Sequence, residues 1–82
     1  MMRLLLFGQI RESAADLHGS EIEPAPASVR DLLAWIDRHH HELGRALDRP
    51  GVRFAVDQRF ADLETEIGPH SEVALMSPLS GG

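Results

Sequence analysis

The segment "SVRDLLAWIDRHHHELGRAL", residues 28–47, decides the fold, because it is the clearest amphipathic helix of the chain. The side chains of one broad helix face recur at spacings of three and four residues. They are Val29, Leu32, Leu33, Ile36, His40, Leu43 and Leu47. Ser28 is a favourable N-cap, and Asp31 three residues later makes a variant of the capping box. Gly44 is expected to end the first helical segment, with a turn that continues to Leu47.

Strands are predicted on both sides of this helix. Before it, "RLLLFGQI" (3–10) is apolar with a period of two, and "SEIEP" (20–24) is a short second strand. The link between these two strands is short, so they are expected to pair antiparallel. After the helix, "VRFAVDQRF" (52–60) alternates and turns at its Asp-Gln pair, and "EVALMSP" (72–78) is the last strand.

This element order, β-β-α-β-(β)-β, predicts the α+β class and a mixed sheet with one main helix packed across it. The helix acts as a crossover that lets the last strand lie parallel beside the first, and right-handed crossovers are strongly favoured. The ubiquitin-like, or β-grasp, fold has this order. We therefore predict one β-grasp domain over residues 1–76 and a flexible, extended C-terminal Gly-Gly tail over residues 77–82.

The composition argues against several classes of function. The formal net charge of −5 disfavours a protein that tracks nucleic-acid phosphates, which would be basic. No apolar run approaches the ~20 residues that a membrane span needs. The chain has no cysteine, and all eight of its cationic side chains are arginines, so it carries neither a thiol nor a side-chain amine. We expect a cytoplasmic protein without nucleic-acid or membrane partners.

The body of the chain carries no visible catalytic or metal site. His39, His40 and His41 are adjacent, but consecutive helix positions point about 100° apart and cannot converge on one ion. Glu64 and Glu66 lack the cleft that an acid–base pair needs. The GxSxG motif and the phosphate-binding glycine motifs are absent. We therefore expect no metal, no cofactor bound by this chain and no catalysis by the chain alone.

The strand alternation leaves a few apolar side chains on the sheet face that points away from the helix. Leu5, Phe7 and Met76 are predicted to project from that face, and Phe60, just past the hairpin, to join them. Several such residues on neighbouring strands form a patch, and patches mark partner surfaces. The alternative is a minor apolar cluster that the chain covers locally.

The last residues suit a thin tail that enters a narrow channel. Pro78 cannot continue the strand ladder and stiffens the exit from the sheet. Leu79 is a single apolar anchor, whereas Ser80 and Gly81 are small enough for close approach of another backbone. The reactive group is the terminal carboxylate of Gly82, which becomes an electrophile once ATP adenylates it. A sulfur nucleophile can then open the mixed anhydride to a thiocarboxylate or thioester.

Four motifs together resemble the family of small, sulfur-carrier subunits of molybdopterin synthase. They are "LLLFGQIRE" (4–12), "VRDLLAWI" (29–36), "AVDQ" (55–58) and "SEVALMSPLSGG" (71–82). The similarity covers essentially the whole chain, in order and at the usual spacing. Asp57 stands where the family commonly has asparagine.

The resemblance implies a complete reaction sequence for Gly82. An adenylating enzyme related to ubiquitin activators uses ATP to form the acyl-adenylate, and a sulfur donor system makes the thiocarboxylate. The tail then enters the active site of the large synthase subunit and donates sulfur to cyclic pyranopterin monophosphate, in molybdenum cofactor biosynthesis. The implied assembly is a heterotetramer with two subunits of each kind. Its apolar contact matches Phe7, Phe60 and Met76.

Three alternatives stay open on the sequence. The chain can be a sulfur carrier for another pathway, such as thiamine thiazole or amino-acid biosynthesis. It can be a ubiquitin-like binding module whose tail is never activated, in which case removal of Gly81 and Gly82 leaves function intact. It can also be a modifier that is joined to lysines of target proteins.

Overall fold

The computed structural model describes residues 1–78. Its strands are β1 (Met2–Phe7), β2 (Ser20–Ile22), β3 (Arg53–Val56), β4 (Arg59–Ala61) and β5 (Glu72–Met76). Its helices are α1 (Ile10–Ser13), a 3-10 turn (Ala15–Leu17), α2 (Val29–His39) and α3 (His41–Leu47). None of these helices is long and apolar enough to cross a membrane.

The five strands form one mixed sheet in the order β2-β1-β5-β3-β4. The two central strands, β1 and β5, run parallel, with Leu4 opposite Val73 and Leu6 opposite Leu75. Strands β2 and β3 flank this pair and are antiparallel to it, and β4 pairs antiparallel with β3. The predicted β-grasp architecture, with the last strand parallel beside the first, is confirmed.

The core lies between one face of the sheet and helices α2 and α3. Alternate residues of β1 and β5 are fully buried, and α2 presents its apolar face to them. The fully buried side chains include Met2, Leu4, Leu6, Val29, Leu32, Ile36, Leu43, Val73 and Leu75. Burial of each such side chain contributes roughly 1.5–3 kcal/mol before the conformational entropy of folding is subtracted.

The expectation that Gly44 ends the first helical segment is wrong. The break falls at His40, whose φ of −141° and ψ of 68° are not helical, and α3 then runs through Gly44. The break turns α3 so that Leu43 and Leu47 reach the core. Gly44 instead allows close packing of the two helices, because a Cβ there would lie 3.0 Å from the Cα of Asp37.

The other end of the helix follows the prediction. Ser28 is the N-cap of α2, and its hydroxyl oxygen accepts a hydrogen bond of 3.2 Å from the backbone N–H of Asp31. Such a cap contributes about 1 kcal/mol relative to alanine.

The first strand is shorter than predicted. It ends at Phe7, and Gly8 has a φ of +81°, which turns the chain out of the sheet. Ile10 therefore reaches the core from α1 and not from the strand. The period of two that Ile10 shares with Leu4 and Leu6 correctly predicted that Ile10 is buried. It did not predict that Ile10 belongs to helix α1.

Candidate functional site

The outer face of the sheet carries the first candidate site. Cross-strand registers place Leu5, Ala74, Ala55 and Phe60 in one row, and Phe7 and Met76 in the next. We call these six residues the outer-face patch. Phe60 is 71% exposed and Phe7 is 43% exposed, whereas the other four are half-buried. The predicted set of Phe7, Phe60 and Met76 thus lies on one continuous apolar surface.

Arg53 borders this patch and holds its most exposed ring. The guanidinium carbon of Arg53 lies 4.4 Å from the centroid of Phe60, in a cation–π arrangement. Such contacts contribute about 0.5–1 kcal/mol at exposed sites. Since Arg53 also faces Met76 across β3 and β5, it gives one edge of the patch a positive charge.

His18 supports the patch from the opposite edge. The backbone N–H of Leu6 donates a hydrogen bond of 3.0 Å to Nδ1 of His18. The His18 ring meets the ring of Phe7 edge-on, with centroids 5.7 Å apart. The His18 ring thus covers part of the Phe7 ring. No pattern in the sequence predicted this contact.

The other end of the same face is charged. Arg3 faces Glu21 on one side and Glu72 on the other. Opposite charges on adjacent strands stabilise this end modestly and keep it hydrated. The apolar surface is therefore confined to the end of the sheet from which β5 leads into the predicted tail.

The start of the tail is the second candidate site. The backbone N–H of Ser77 donates to the carbonyl of Phe7 at 3.1 Å, and the Ser77 hydroxyl oxygen accepts from the N–H of Ile10 at 3.4 Å. A Cβ on Gly8 would overlap this hydroxyl. A glycine at this position is thus needed both for its positive φ and for the approach of Ser77.

Pro78 lies against a second glycine with positive φ. Gly51 has a φ of +88°, and a Cβ there would be 3.1 Å from Cγ of Pro78. The chain therefore leaves the sheet between two turns, one after β1 and one before β3. The sequence prediction placed Gly8 inside the first strand and missed its turn, whereas Gly51 ends the stretch "DRPG" (48–51), whose residues predict a turn.

A groove of about 390 Å³ opens beside Pro78. We call it the exit groove. Its lining includes Ile10, Ala46, Arg49, Pro50, Val52 and Pro78. Helices α1 and α3 thus form one wall and the segment before β3 the other.

Asp57 has a structural role away from both sites. Its carboxylate accepts hydrogen bonds of 2.9 Å from the Ser71 hydroxyl and from the backbone N–H of Glu72. The Glu72 hydrogen bond, and then that of Ser71, hold the pKa of Asp57 below its ordinary value. Asp57 and Gln58 both have positive φ, as two-residue hairpin turns require. Asp57 therefore fastens the hairpin to the start of β5.

The three adjacent histidines do not form a metal site in the part of the chain that the structure describes. The rings of His39 and His40 contact Trp35 at tilted angles, with centroids 4.8 and 5.6 Å from its ring, and His41 pairs with Asp37 at 3.5 Å. Residues 1–78 contain no cluster of three His, Cys, Asp or Glu side chains able to hold an ion.

The predicted tail residues fall on both sides of the described boundary. Ser77 and Pro78 are described, and Pro78 lies at the end of the sheet that carries the outer-face patch. Leu79, Ser80, Gly81 and Gly82 lie outside the described residues.

A family model matches residues 4–82, which is nearly the whole chain and includes the Gly-Gly end. The chain belongs to the ThiS family. This family consists of ubiquitin-like sulfur carriers, which work with partner enzymes. A comparison with curated proteins finds no match.

Two solved structures share the fold of this ThiS-family chain. One is of SAMP1 from Haloferax volcanii, with a TM-score of 0.78 and 23% identity over 99% of this chain and 98% of that one. The other is of small archaeal modifier protein 1 from the same organism, with a TM-score of 0.75 and 21% identity over 95% and 97%. At these identities the likeness establishes the β-grasp fold of this ThiS-family chain and nothing finer.

Proposed function

We propose that this chain is the sulfur-carrier small subunit of molybdopterin synthase. The observation that carries the proposal is the position of the outer-face patch. It lies at the end of the sheet where β5 passes through Ser77 and Pro78 into "LSGG". A partner that covers the patch is thereby placed next to the tail, which is what transfer of sulfur from Gly82 requires.

The first reaction activates Gly82 on a separate enzyme. A carboxylate oxygen of Gly82 attacks the α-phosphorus of ATP, the bond to the leaving phosphate breaks, and pyrophosphate departs. A sulfur nucleophile then attacks the acyl carbon, the bond to the AMP oxygen breaks, and AMP departs. ATP is bound and used by a ubiquitin-activator-like adenylating enzyme, and this chain supplies the acyl group.

The second reaction uses the large synthase subunit. The tail, with Leu79 as its apolar anchor and Ser80 and Gly81 as its narrow stem, carries the thiocarboxylate into that subunit's active site. Each transfer forms a bond from the thiocarboxylate sulfur to a carbon of cyclic pyranopterin monophosphate in place of an oxygen substituent, and water then cleaves the acyl C–S bond and restores the Gly82 carboxylate. Two loaded carriers supply the two sulfurs of the dithiolene. The large subunit covers Phe7, Phe60 and Met76, in an assembly with two copies of each subunit, because these side chains form an apolar surface at the end of the sheet from which β5 leads to Pro78.

Intact-mass measurement tests the activation step. The chain is incubated with its cognate adenylating enzyme, ATP and a sulfur donor. We expect a mass increase equal to the replacement of one oxygen by one sulfur, located in the C-terminal peptide. A mass that stays constant, while a control carrier gains sulfur under the same conditions, overturns the proposal.

A second assay tests the pathway. The thiocarboxylate form is mixed with the large synthase subunit and cyclic pyranopterin monophosphate, and formation of the dithiolene product is followed. Product formation at a rate set by the carrier concentration supports the proposal. If the thiocarboxylate forms but sulfur passes only to a thiazole or amino-acid acceptor, the chain is a carrier for that other pathway.

The fold likeness to small archaeal modifier protein 1 favours one further candidate, which is a modifier joined to target proteins. The same acyl-adenylate chemistry then ends in an amide between Gly82 and a lysine of a target. An N-terminally tagged chain expressed in its native host distinguishes this role, because it accumulates in higher-mass conjugates. Trypsin cuts the chain last after Arg59, so it leaves the peptide 60–82 attached to the modified lysine. A binding module without tail activation yields neither conjugates nor thiocarboxylate.

A further inference from the structure

We propose that the exit groove is a second contact surface for the adenylating enzyme, and that it binds an acidic segment of that enzyme with an apolar side chain at its centre. This inference rests on the proposed activation of Gly82. It concerns a surface formed by α1, α3 and the segment before β3, whereas the outer-face patch lies on the sheet face that points away from the helices.

Chain length requires contact near the groove. Four residues, 79–82, follow Pro78. A fully extended stretch of that length spans at most about 13–14 Å. An enzyme whose active site receives the carboxylate of Gly82 must therefore approach Pro78 to within that distance. Pro78 lines the exit groove, so the groove adjoins the region that such an enzyme approaches.

The floor of the groove suits an apolar side chain. Ile10, Ala46, Val52, Pro50 and Pro78 contribute apolar atoms to it. Its volume of about 390 Å³ is at the lower end of the ~300–1,000 Å³ that ligand pockets occupy. This space fits one or two side chains of a protein segment, and their burial supplies the apolar part of the contact.

The rim of the groove is positively charged, although the protein as a whole carries a negative net charge. Arg49 lines the exit groove and also an adjoining hollow, which Arg45 lines as well. Both arginines are exposed, and neither forms an ion pair with a residue of the described range 1–78. Arg30, by contrast, is paired with Glu64. One acidic residue, Glu42, lines the hollow, which leaves a local charge of +1.

This local charge favours carboxylates on the partner. The chain carries a formal charge of −5 overall, so an acidic partner is repelled by most of its surface and attracted at this rim. Guanidinium groups bind carboxylates in a bidentate geometry that also fixes orientation. An acidic segment with a central apolar side chain therefore matches both the rim and the floor of the groove.

The charge-reversal variant R45E/R49E tests the inference. Pyrophosphate exchange by the cognate adenylating enzyme is measured against the concentration of the wild-type chain and of the variant. We expect KM for the chain to rise about tenfold while kcat stays nearly constant, because rim charges govern encounter and orientation. The rise in KM that added salt causes in the wild type should also be smaller in the variant. R38E/R59E is the matched control, since it reverses two exposed arginines that lie outside the groove and changes the net charge by the same amount.

A second variant changes the floor without changing charge. Ala46→Phe fills part of the groove and should also raise KM for the chain. Thermal unfolding shows whether this variant is folded. If R45E/R49E is folded and its KM equals that of R38E/R59E, the inference is wrong although the proposed function stands. If the wild-type chain supports no exchange at all, the proposed activation fails, and the inference fails with it.

Discussion

Asp57 illustrates how one side chain fixes the relation between two elements. Its carboxylate accepts hydrogen bonds from Ser71 and Glu72, fourteen and fifteen residues further along the chain. The hydrogen bonds favour the ionised form, so the folded-state pKa lies below that of the unfolded chain. The resulting stability is present above the unfolded pKa and is lost as pH falls through the folded pKa.

We therefore predict an acid-specific effect for Asp57→Asn. At pH 7 the variant should unfold at a lower temperature than the wild type, because the amide accepts through only one of the two oxygens. Below about pH 4 the difference in Tm should shrink, since protonation weakens the same hydrogen bonds in the wild type. Asp16→Asn, which changes an exposed carboxylate, controls for net charge. A Tm difference between wild type and Asp57→Asn that is constant from pH 7 to pH 3 contradicts the prediction.

A comparison of alanine variants at Gly8 and Gly19 separates two effects of an added Cβ, which are backbone strain and a steric clash. Both have a φ of +81°, but a Cβ on Gly8 would overlap the Ser77 hydroxyl, whereas a Cβ on Gly19 meets no atom within 4 Å. Backbone strain of about 1–2 kcal/mol applies to both alanine variants. We expect Gly8→Ala to lower the free energy of unfolding by that amount and by a further steric contribution, as measured by urea denaturation. Equal losses in the two variants would show that Ser77 moves aside without cost.

At the scale of elements, the two faces of the sheet differ, and so do the two ends of its outer face. The inner face of β1 and β5 packs the core, and their outer face carries the outer-face patch. Only the end of that face next to Pro78 is apolar, whereas Arg3, Glu21 and Glu72 occupy the other end. The surface that we propose to contact the partner is thus confined to the region from which β5 leads to Pro78.

This arrangement predicts the result of Phe7→Arg. Phe7 is 43% exposed, so the charged side chain can remain in water in the free protein, and Tm should change little. In the complex it would be buried, and we expect affinity for the large synthase subunit to fall at least about tenfold, measured by calorimetry. Glu21→Arg, at the charged end of the same face, should leave affinity nearly unchanged. Equal affinities of Phe7→Arg and the wild type would remove Phe7 from the contact.

At the scale of the whole molecule, the sequence correctly predicted the features that follow from local periodicity, which are the strands and the faces they bury. The alternation of Leu4 with Leu6, and of Val73 with Leu75, identified the buried strand faces and, with them, the outer apolar residues. The break at His40 was not predictable, because it depends on how Leu43 and Leu47 reach a core built by distant strands. The contact of Gly8 with Ser77 joins residues nearly the whole chain apart, and no local pattern encodes such a contact.

The whole molecule also predicts that folding and sulfur transfer can be separated. We expect a chain with one alanine added after Gly82 to unfold at the same temperature as the wild type, because the buried core is built by residues of the range 1–78. The same chain should gain no sulfur in the intact-mass assay, since its carboxylate no longer belongs to glycine at the required position. A wild-type level of thiocarboxylate in the extended chain would place the chemistry elsewhere.

The parallel pairing of β1 with β5 has a practical consequence for labelling. Met2 and Glu72 lie at one end of the sheet, and Phe7 and Pro78 at the other, about 16 Å away at ~3.3 Å per residue. Residues 1–82 contain no lysine, so a purified chain of these residues has one primary amine, the α-amino group of Met1. An amine-reactive dye or a resin therefore attaches to a purified chain at a single point. Attachment at Met1 leaves the outer-face patch and the exit groove accessible in binding experiments on a surface.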